Sequence, residues 1–441
     1  MIMPAADAEP GPSGPVKHLN LNVRGLRQSA TLAINERTAA IAASGRPVFR
    51  FGLGQSPFPV PEPVVEALRA NAHQKDYLPV RGLHALRQAV ANYHRRGDGI
   101  EVDAEDVLIG PGSKELMFIL QLVYYGDLLI PTPSWVSYAP QAGIVGRNVQ
   151  WLETEARNNW RLTAEALDQH CTADPGRPRI LILNYPNNPT GDSYEPDELQ
   201  ALAAVARHHG LVLVSDEIYG GVDHRGAHHS IARYYPEGTI ISGGLSKWCG
   251  AGGWRLGTFA IPRRLRWLLD AMAVVASETY TSTSAPIQHA AIRGFEGGAE
   301  IERYLAASRR ILASLGRHAW HRLVDEAGCS MPEPVGGFYL FPDCSAHRDG
   351  FARHGLHTST ALCERILRDT GVACLPGSAF GRPEFELTLR LAYVDFDGAR
   401  AIAASEQAPG AVPLDAAFLQ TYCPSVVTGV DRLVDWIRQH R

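Results

Sequence analysis

The sequence predicts an α/β fold: a large sheet-based part followed by a smaller α+β part. Three observations carry this. Between residues 107 and 261, seven short apolar runs are interspersed with helical stretches, the rhythm of a layered α/β domain. The runs are continuously apolar rather than alternating, which suits strands buried on both faces of a mostly parallel sheet. At 441 residues the chain is long enough for about two or three domains of ~100–200 residues each.

The elements follow in order. The opening MIMPAADAEPGPSGP lacks a basic start and a continuous apolar stretch, so it is not read as a secretory signal; its Pro, Gly and Ala content suggests a loose tail. An amphipathic helix follows, with Ser29 as its cap and Leu32, Ile34 and Ile41 as apolar positions. Residues 50–54 form a short extended piece, and the four prolines of residues 56–63 make a loop. Residues 63–72 form a helix with proline in its first turn. The strands are predicted at 107–109, 128–130, 149–152, 180–183, 211–215, 239–242 and 258–261, with helices at 114–125, 163–170 and 196–209. After Gln288 a long helical stretch runs over 290–324, then come strands at 338–341, 372–375 and 387–392 and a helix at 360–370. In the last strand Leu387, Leu389 and Leu391 share one face and Thr388, Arg390 and Ala392 the other. Residues 404–427, rich in Pro, Ala and Ser, read as an irregular excursion before a final helix at 431–439. No repeat of 20–50 residues is present, which excludes a solenoid.

Composition narrows the function. Forty-two Lys and Arg against 46 Asp and Glu give a net charge of −4, so there is no basic excess for nucleic acid. The longest apolar run, 116–125, is interrupted by Gln121 and falls well short of the ~20 residues of a membrane helix. The seven cysteines are odd in number and form no CxxC pair, which suits reduced thiols in a cytoplasm better than disulfides or a zinc site. His224, His228 and His229 show no metal-ligand spacing and read as a solvated loop, as does the His208–His209 pair.

Four segments carry chemistry. Asn184-Tyr185-Pro186-Asn187-Asn188-Pro189-Thr190-Gly191 follows one predicted strand, and Ser215-Asp216-Glu217-Ile218-Tyr219 ends another. Ser246-Lys247 precedes a glycine-rich run and Arg255, and Arg390 lies on the polar face of a late strand. Singly, each has an ordinary reading as a turn, a helix cap, a loop lysine or a solvated arginine. Jointly, Asn188, Asp216 and Lys247 meet at the carboxyl edge of the sheet, where open α/β folds bind ligands. A lysine amine condenses with an aldehyde, a pyridine ring needs an acidic partner such as Asp216, and a phosphate needs the helix N-terminus at Gly112-Ser113-Lys114 and the fork of Arg255.

On these motifs, the chain resembles the class I/II aminotransferases of the aspartate aminotransferase superfamily, the fold type I pyridoxal phosphate enzymes, from about residue 50 to 397. The resemblance implies a mixed seven-stranded sheet between helices, a smaller α+β domain from both chain ends, and a homodimer with shared sites. It implies pyridoxal 5'-phosphate as cofactor, with Lys247 as Schiff-base lysine and proton carrier and Asp216 on the pyridinium nitrogen. Tyr219 and Asn188 match the pair on the 3-oxygen, and Trp135 the aromatic that stacks on the ring. Gly112, Ser113, Lys114, Ser246 and Arg255 match the phosphate cradle, and Tyr77 a tyrosine reaching the neighbouring subunit's site. Arg390 matches the arginine for the substrate α-carboxylate, helped by Asn188 and backed by Gly54. Gly244 departs from the pattern, since many relatives carry Ser or Thr there, and Trp248-Cys249 after the lysine is unusual; Cys249 reads as a packed bystander.

The implied division is a tail at 1–16, an arm at 17–50 joining the small domain, a large cofactor-binding domain at 51–300 and a small domain at 301–441. The implied activity is ping-pong transfer of an amino group from an L-amino acid to a 2-oxo acid. A lyase or synthase (β- or γ-elimination, cyclisation or oxidative deamination) on the same scaffold is the alternative, because fold does not choose the reaction. A DNA-binding regulator is disfavoured by the negative charge and the intact catalytic set. For an acidic substrate, Arg81 and Arg24 are the candidate second cations, although each also reads as a surface residue; Tyr138 and Trp254 would instead favour an apolar side chain.

Overall fold

The computed structural model describes residues 18–26, 28–408 and 413–441; the expected tail at 1–16 lies outside them. Strand β1 (Phe49–Arg50) is followed by seven strands that form one sheet: β2 (Val107–Gly110), β3 (Asp127–Thr132), β4 (Val149–Glu153), β5 (Arg179–Asn184), β6 (Val212–Asp216), β7 (Thr239–Gly244) and β8 (Gly257–Ala260). Their order is β2-β8-β7-β6-β5-β3-β4, with β8 antiparallel to both neighbours and every other pair parallel. All seven predicted strands are present, each within two residues at either end.

Their apolar continuity has the expected cause. Leu108, Ile130, Ile182, Val214, Ile240 and Phe259 pack on one face with the helices Ser113–Val123 and Arg266–Thr279. Leu129, Leu181, Leu183 and Leu213 pack on the other with Ala164–Thr172 and Pro196–His208. Both faces are therefore dry, and no position on a central strand tolerates a polar residue without a specific partner.

The chain ends meet. Strand β1 pairs in parallel with β10 (Val372–Ala373), so Phe49 lies beside Val372. Strands β9 (Tyr339–Leu340), β11 (Leu375–Pro376) and β12 (Leu389–Ala392) form a second, antiparallel sheet in the order β11-β12-β9. The N-terminal helix, Ala30–Ala43, begins after Ser29, although that hydroxyl pairs with Thr31 rather than capping the backbone.

Two expectations are corrected. The stretch 290–324 is not one helix: Ala285–Glu296 and Ala299–His321 are separated by Gly297 and Gly298, whose φ values of 74° and 107° are left-handed and stop a helix. Residues 404–427 are largely helical rather than irregular. Gly398–Gln407 runs into the segment, Ala416–Tyr422 lies inside it, and Pro424–His440 begins there, with the proline in its first turn. Asp397 and Asp415 cap the first two by accepting from Arg400 and Phe418 backbone N–H groups.

Candidate active site

Parallel strands β5, β6 and β7 end side by side, with Asn184 opposite Asp216 and Asp216 opposite Ser242. Beyond these ends lies a cavity of about 340 Å³. Its walls include Gly54, Ser113, Lys114, Trp135, Asn188, Asp216, Tyr219, Ser246, Lys247, Arg255 and Arg390. Eleven residues predicted from distant parts of the sequence thus share one space. Of the other two, Gly112 is adjacent as the N-cap of the helix Ser113–Val123, whereas Tyr77 is 88% exposed and lines no part of the cavity.

Lys247 is the amine of the cavity. Its Nζ donates to the Gly54 carbonyl at 2.7 Å and lies 5.4 Å from the Tyr219 ring centre. Burial, then the positive charge of Arg390, pull its pKa down to about 8, against the opposing attraction of Asp216. Asp216, at the end of β6, is 4% exposed. It accepts hydrogen bonds from the Tyr138 hydroxyl and, at 3.2 Å, from Ser242 Oγ. Burial raises it to about 6, with those hydrogen bonds holding it down, so it is a carboxylate at neutral pH with no cation at ion-pair distance among the described residues.

Arg390 is fully buried on β12. Its guanidinium donates to Asn188 Oδ1 at 3.3 Å and to the Gly52 carbonyl, and it stacks 4.8 Å from the Tyr339 ring centre. No carboxylate approaches it among the described residues, and its Nε has no hydrogen-bond partner. Such a cation is costly to bury, and it marks a place prepared for an anion. At the opposite wall, Arg255 sits in a left-handed conformation (φ 57°) and donates to the carbonyls of Gly252, at 2.9 Å, and Pro111, at 3.3 Å. This puts its positive charge beside the unfilled N–H groups that open the helix Ser113–Val123, an arrangement that can take an anion such as a phosphate. Lys114 is exposed at the mouth, its ammonium 5.1 Å from the Trp135 ring centre.

Gly244 now has a reason. Its φ is 151°, and a side chain there would press on the Leu256 carbonyl at 2.7 Å. Cys249 is buried and its thiol is pushed up to about 12 by desolvation, which makes it an unreactive packing residue.

Sequence reasoning missed three partners and misplaced several others. Tyr138 is not an entrance aromatic: it is 1% exposed and hydrogen-bonds Asp216. Tyr339, in the GGFYLF run, bonds the Tyr219 hydroxyl at 2.6 Å and stacks under Arg390. Asn184 donates to the Asp216 carbonyl at 2.8 Å and accepts from the Asn188 N–H at 2.8 Å, joining two motifs. Ser242, also unread, could have been found from its place at the end of a parallel strand. Trp254 packs at the edge of the core instead of facing the cavity. Arg81 is engaged by Asp270, and neither it nor Arg24 lines the cavity. His228 is not on a solvated loop: its side chain is 12% exposed and lies 3.1 Å from Glu217.

The sheet layered on both faces, the buried amine, the carboxylate without an ionic partner and the anion-type helix end together define a pyridoxal phosphate enzyme of the α/β type. The comparisons agree. The family model described as aminotransferase class I and II matches residues 46–398. The aspartate aminotransferase of Geobacillus stearothermophilus is 34% identical over 381 residues, covering 84% of this chain and 93% of the relative. The asparagine–oxo-acid transaminase of Streptococcus mutans is 29% identical over 387 residues, covering 85% and 94%. The structure of Thermus thermophilus aspartate aminotransferase with maleate superposes with a TM-score of 0.79 at 28% identity, covering 89% of this chain and 98% of that one. The chain belongs to the class I and II aminotransferases, and it is a pyridoxal 5'-phosphate-dependent transaminase that moves amino groups between amino acids and 2-oxo acids.

Proposed function

We propose that the cavity works as follows. Lys247 would hold the cofactor covalently, Asp216 would pair with its ring nitrogen, Tyr219 and Asn188 with its 3-oxygen, and Trp135 with its ring face. Gly112, Ser113, Lys114, Ser246 and Arg255 surround its phosphate. When bound, the cofactor supplies an electron sink for the charge left on the substrate Cα.

The chain's own groups do the rest. Arg390, with Asn188 beside it and Gly54 behind, takes the α-carboxylate in a charge-assisted fork. Lys247, freed when the substrate's amine displaces it, would take the proton from the substrate Cα; burial and Arg390, which draw its pKa down to about 8 in the cavity without ligand, favour the neutral amine that a base needs. Asp216 stays ionised because Tyr138 and Ser242 hydrogen-bond it. The observation that carries this reading is the buried Arg390, without an acidic partner, opening into the same cavity as Lys247.

The donor we propose is a dicarboxylic amino acid. Lys114 has no acidic partner among the described residues and stands at the mouth, where it can meet a side-chain carboxylate. The relatives named as aspartate aminotransferases and the Thermus complex with maleate support this. Exposed Tyr77 supports a homodimer in which it reaches the partner's cavity. The pairing of β1 with β10 supports an arm at 17–50 that joins a small domain at 301–441, beside a large domain at 51–300. The seven buried free thiols suit a reducing, cytoplasmic setting, and no helix among the described residues is long and apolar enough to cross a membrane.

Mixing the loaded enzyme with aspartate alone tests the reading. The expected result is about one oxaloacetate per site, then arrest until a 2-oxo acid restarts turnover with ping-pong kinetics. Continuous ammonia release from the amino acid alone would contradict it.

A further inference from the structure

The SDEIY segment carries two acidic residues, and only Asp216 faces the cofactor cavity. Glu217 points to the opposite side of β6, where its side chain is 6% exposed. A buried carboxylate needs donors, and Glu217 has them from separate stretches of chain. Ser215 Oγ donates at 2.6 Å, Ser230 Oγ donates as well, and Tyr185 OH lies at 3.5 Å. His228 Nε2 stands 3.1 Å from the other oxygen, its ring stacked 5.4 Å from that of Tyr185.

Tyr185 belongs to the Asn184–Asn188 segment, and its hydroxyl also contacts Ser215 Oγ at 2.6 Å and accepts from the Ile231 N–H at 2.8 Å. The Glu217 carboxylate therefore joins the segment that presents Asn188 to the one that presents Asp216 and Tyr219. Asn184 makes the corresponding link on the cavity side.

Packing alone does not hold this end of the sheet. Behind it lies a second cavity of about 340 Å³, bordered by Glu217, His228, His94 and Asp98 and by glycines such as Gly220 and Gly243. Where those glycines border the space they present no side chain to pack, so hydrogen bonds contribute to fixing the backbone there.

We propose that Glu217, held by Ser215, Ser230, Tyr185 and His228, is a positioning residue that locks the Asn188 and Asp216–Tyr219 segments together from behind the sheet. The charges around it agree. His228 holds Glu217 below the ordinary carboxylate range against the cost of burial, and Glu217 in turn raises His228. Asp98 and Asp223 also raise His228, while Arg233 acts on Asp98 and His94 is kept low by burial. The inference rests on the assignment of Asp216, Tyr219 and Asn188 to the cofactor.

The test uses Glu217→Ala, Glu217→Gln, Ser230→Ala and, as a control on that assignment, Asp216→Asn. Three quantities are read: the affinity of apoprotein for pyridoxal 5'-phosphate, the pH midpoint of the bound cofactor's visible absorbance, and kcat and KM per bound cofactor. Glu217→Ala should weaken cofactor binding and lower kcat about tenfold or more, move the midpoint, and leave KM for the donor within about threefold. Glu217→Gln, which keeps an acceptor for the two serines, should restore most of that loss, and Ser230→Ala should fall between wild type and Glu217→Ala. If Glu217→Ala does not fold, the order wild type, Glu217→Gln, Ser230→Ala in midpoint and kcat carries the test. Unchanged midpoint and kcat with only a lowered Tm would overturn the proposal. If Asp216→Asn is also silent, the cofactor assignment has failed; if it alone is crippled, only the positioning role has.

Discussion

Arg390 and Arg382 stand eight positions apart and are both buried, yet the chain treats them in opposite ways. Arg382 closes the seam between the C-terminal segment and the sheet. It bonds Glu386 with two nitrogens at 2.9 and 2.7 Å, and Thr132 and Glu153 with the third at 2.7 and 2.9 Å, under the face of Trp160. Arg390, at the cavity, has two carbonyl acceptors, two aromatic faces and no carboxylate. A structural region spends its charges on one another; a binding region keeps one in reserve. The same contrast separates neighbours Asp216 and Glu217, one without an ionic partner and the other matched with His228.

The contrast breaks most sharply at Lys247. Lys247→Ala should lose at least about a thousandfold in turnover, because the proposed nucleophile and the proposed proton carrier go together. Its Tm as apoprotein should be no lower than wild type, since the fold gains nothing from burying that amine. Borohydride labelling at another lysine would contradict the assignment.

The two arginines then form a matched pair. Arg390→Ala should weaken donor binding by on the order of 2–5 kcal/mol and leave Tm nearly unchanged. Arg382→Ala should do the reverse, costing on the order of 1–3 kcal/mol of stability as the partly buried Glu386 loses its partner, with KM little altered. Urea unfolding and steady-state kinetics on both variants separate the effects; a KM defect in Arg382→Ala equal to that in Arg390→Ala would erase the distinction. A smaller effect sharpens it at the cavity mouth. Lys114→Ala should lower kcat/KM for aspartate about tenfold more than for alanine if the ammonium meets the side-chain carboxylate, and equal losses would leave Lys114 to the phosphate alone.

What could be read in advance follows physical lines. The seven strands were legible because burial on both faces writes continuous apolar runs into the chain. Arg390 stood out as the charge on the polar face of a late strand, beside Thr388 and Ala392, and its role came only with the family resemblance. The partnerships were not. Tyr138 and Asp216 are 78 positions apart, Tyr219 and Tyr339 are 120 apart, and only the folded sheet brings them together. Residues 404–427 were misread because proline and alanine suggest a loop, although proline opens the helix Pro424–His440 and alanine favours helices. The histidines around 224–229 look like a polar loop, and nothing local reveals that His228 faces Glu217 across a bend.

The last effect concerns the cost of keeping Asp216 ready. Its carboxyl is raised from 3.8 to about 6, chiefly by burial. A folded-state pKa above the unfolded one means that the folded protein binds the proton more tightly. Apoprotein stability from this group is therefore present below about pH 4 and lost as pH rises through 4 to 6. Asn at this position has no such titration, and its carbonyl can still accept from Tyr138 and Ser242. Against pH, the stability of apo Asp216→Asn minus that of wild type should rise between pH 4 and 7 by at most about 3 kcal/mol. Urea unfolding of both apoproteins at fixed concentration reads it directly. A difference that stays flat across that range would mean that Asp216 is ionised at no cost, and that the cavity holds no carboxylate in reserve.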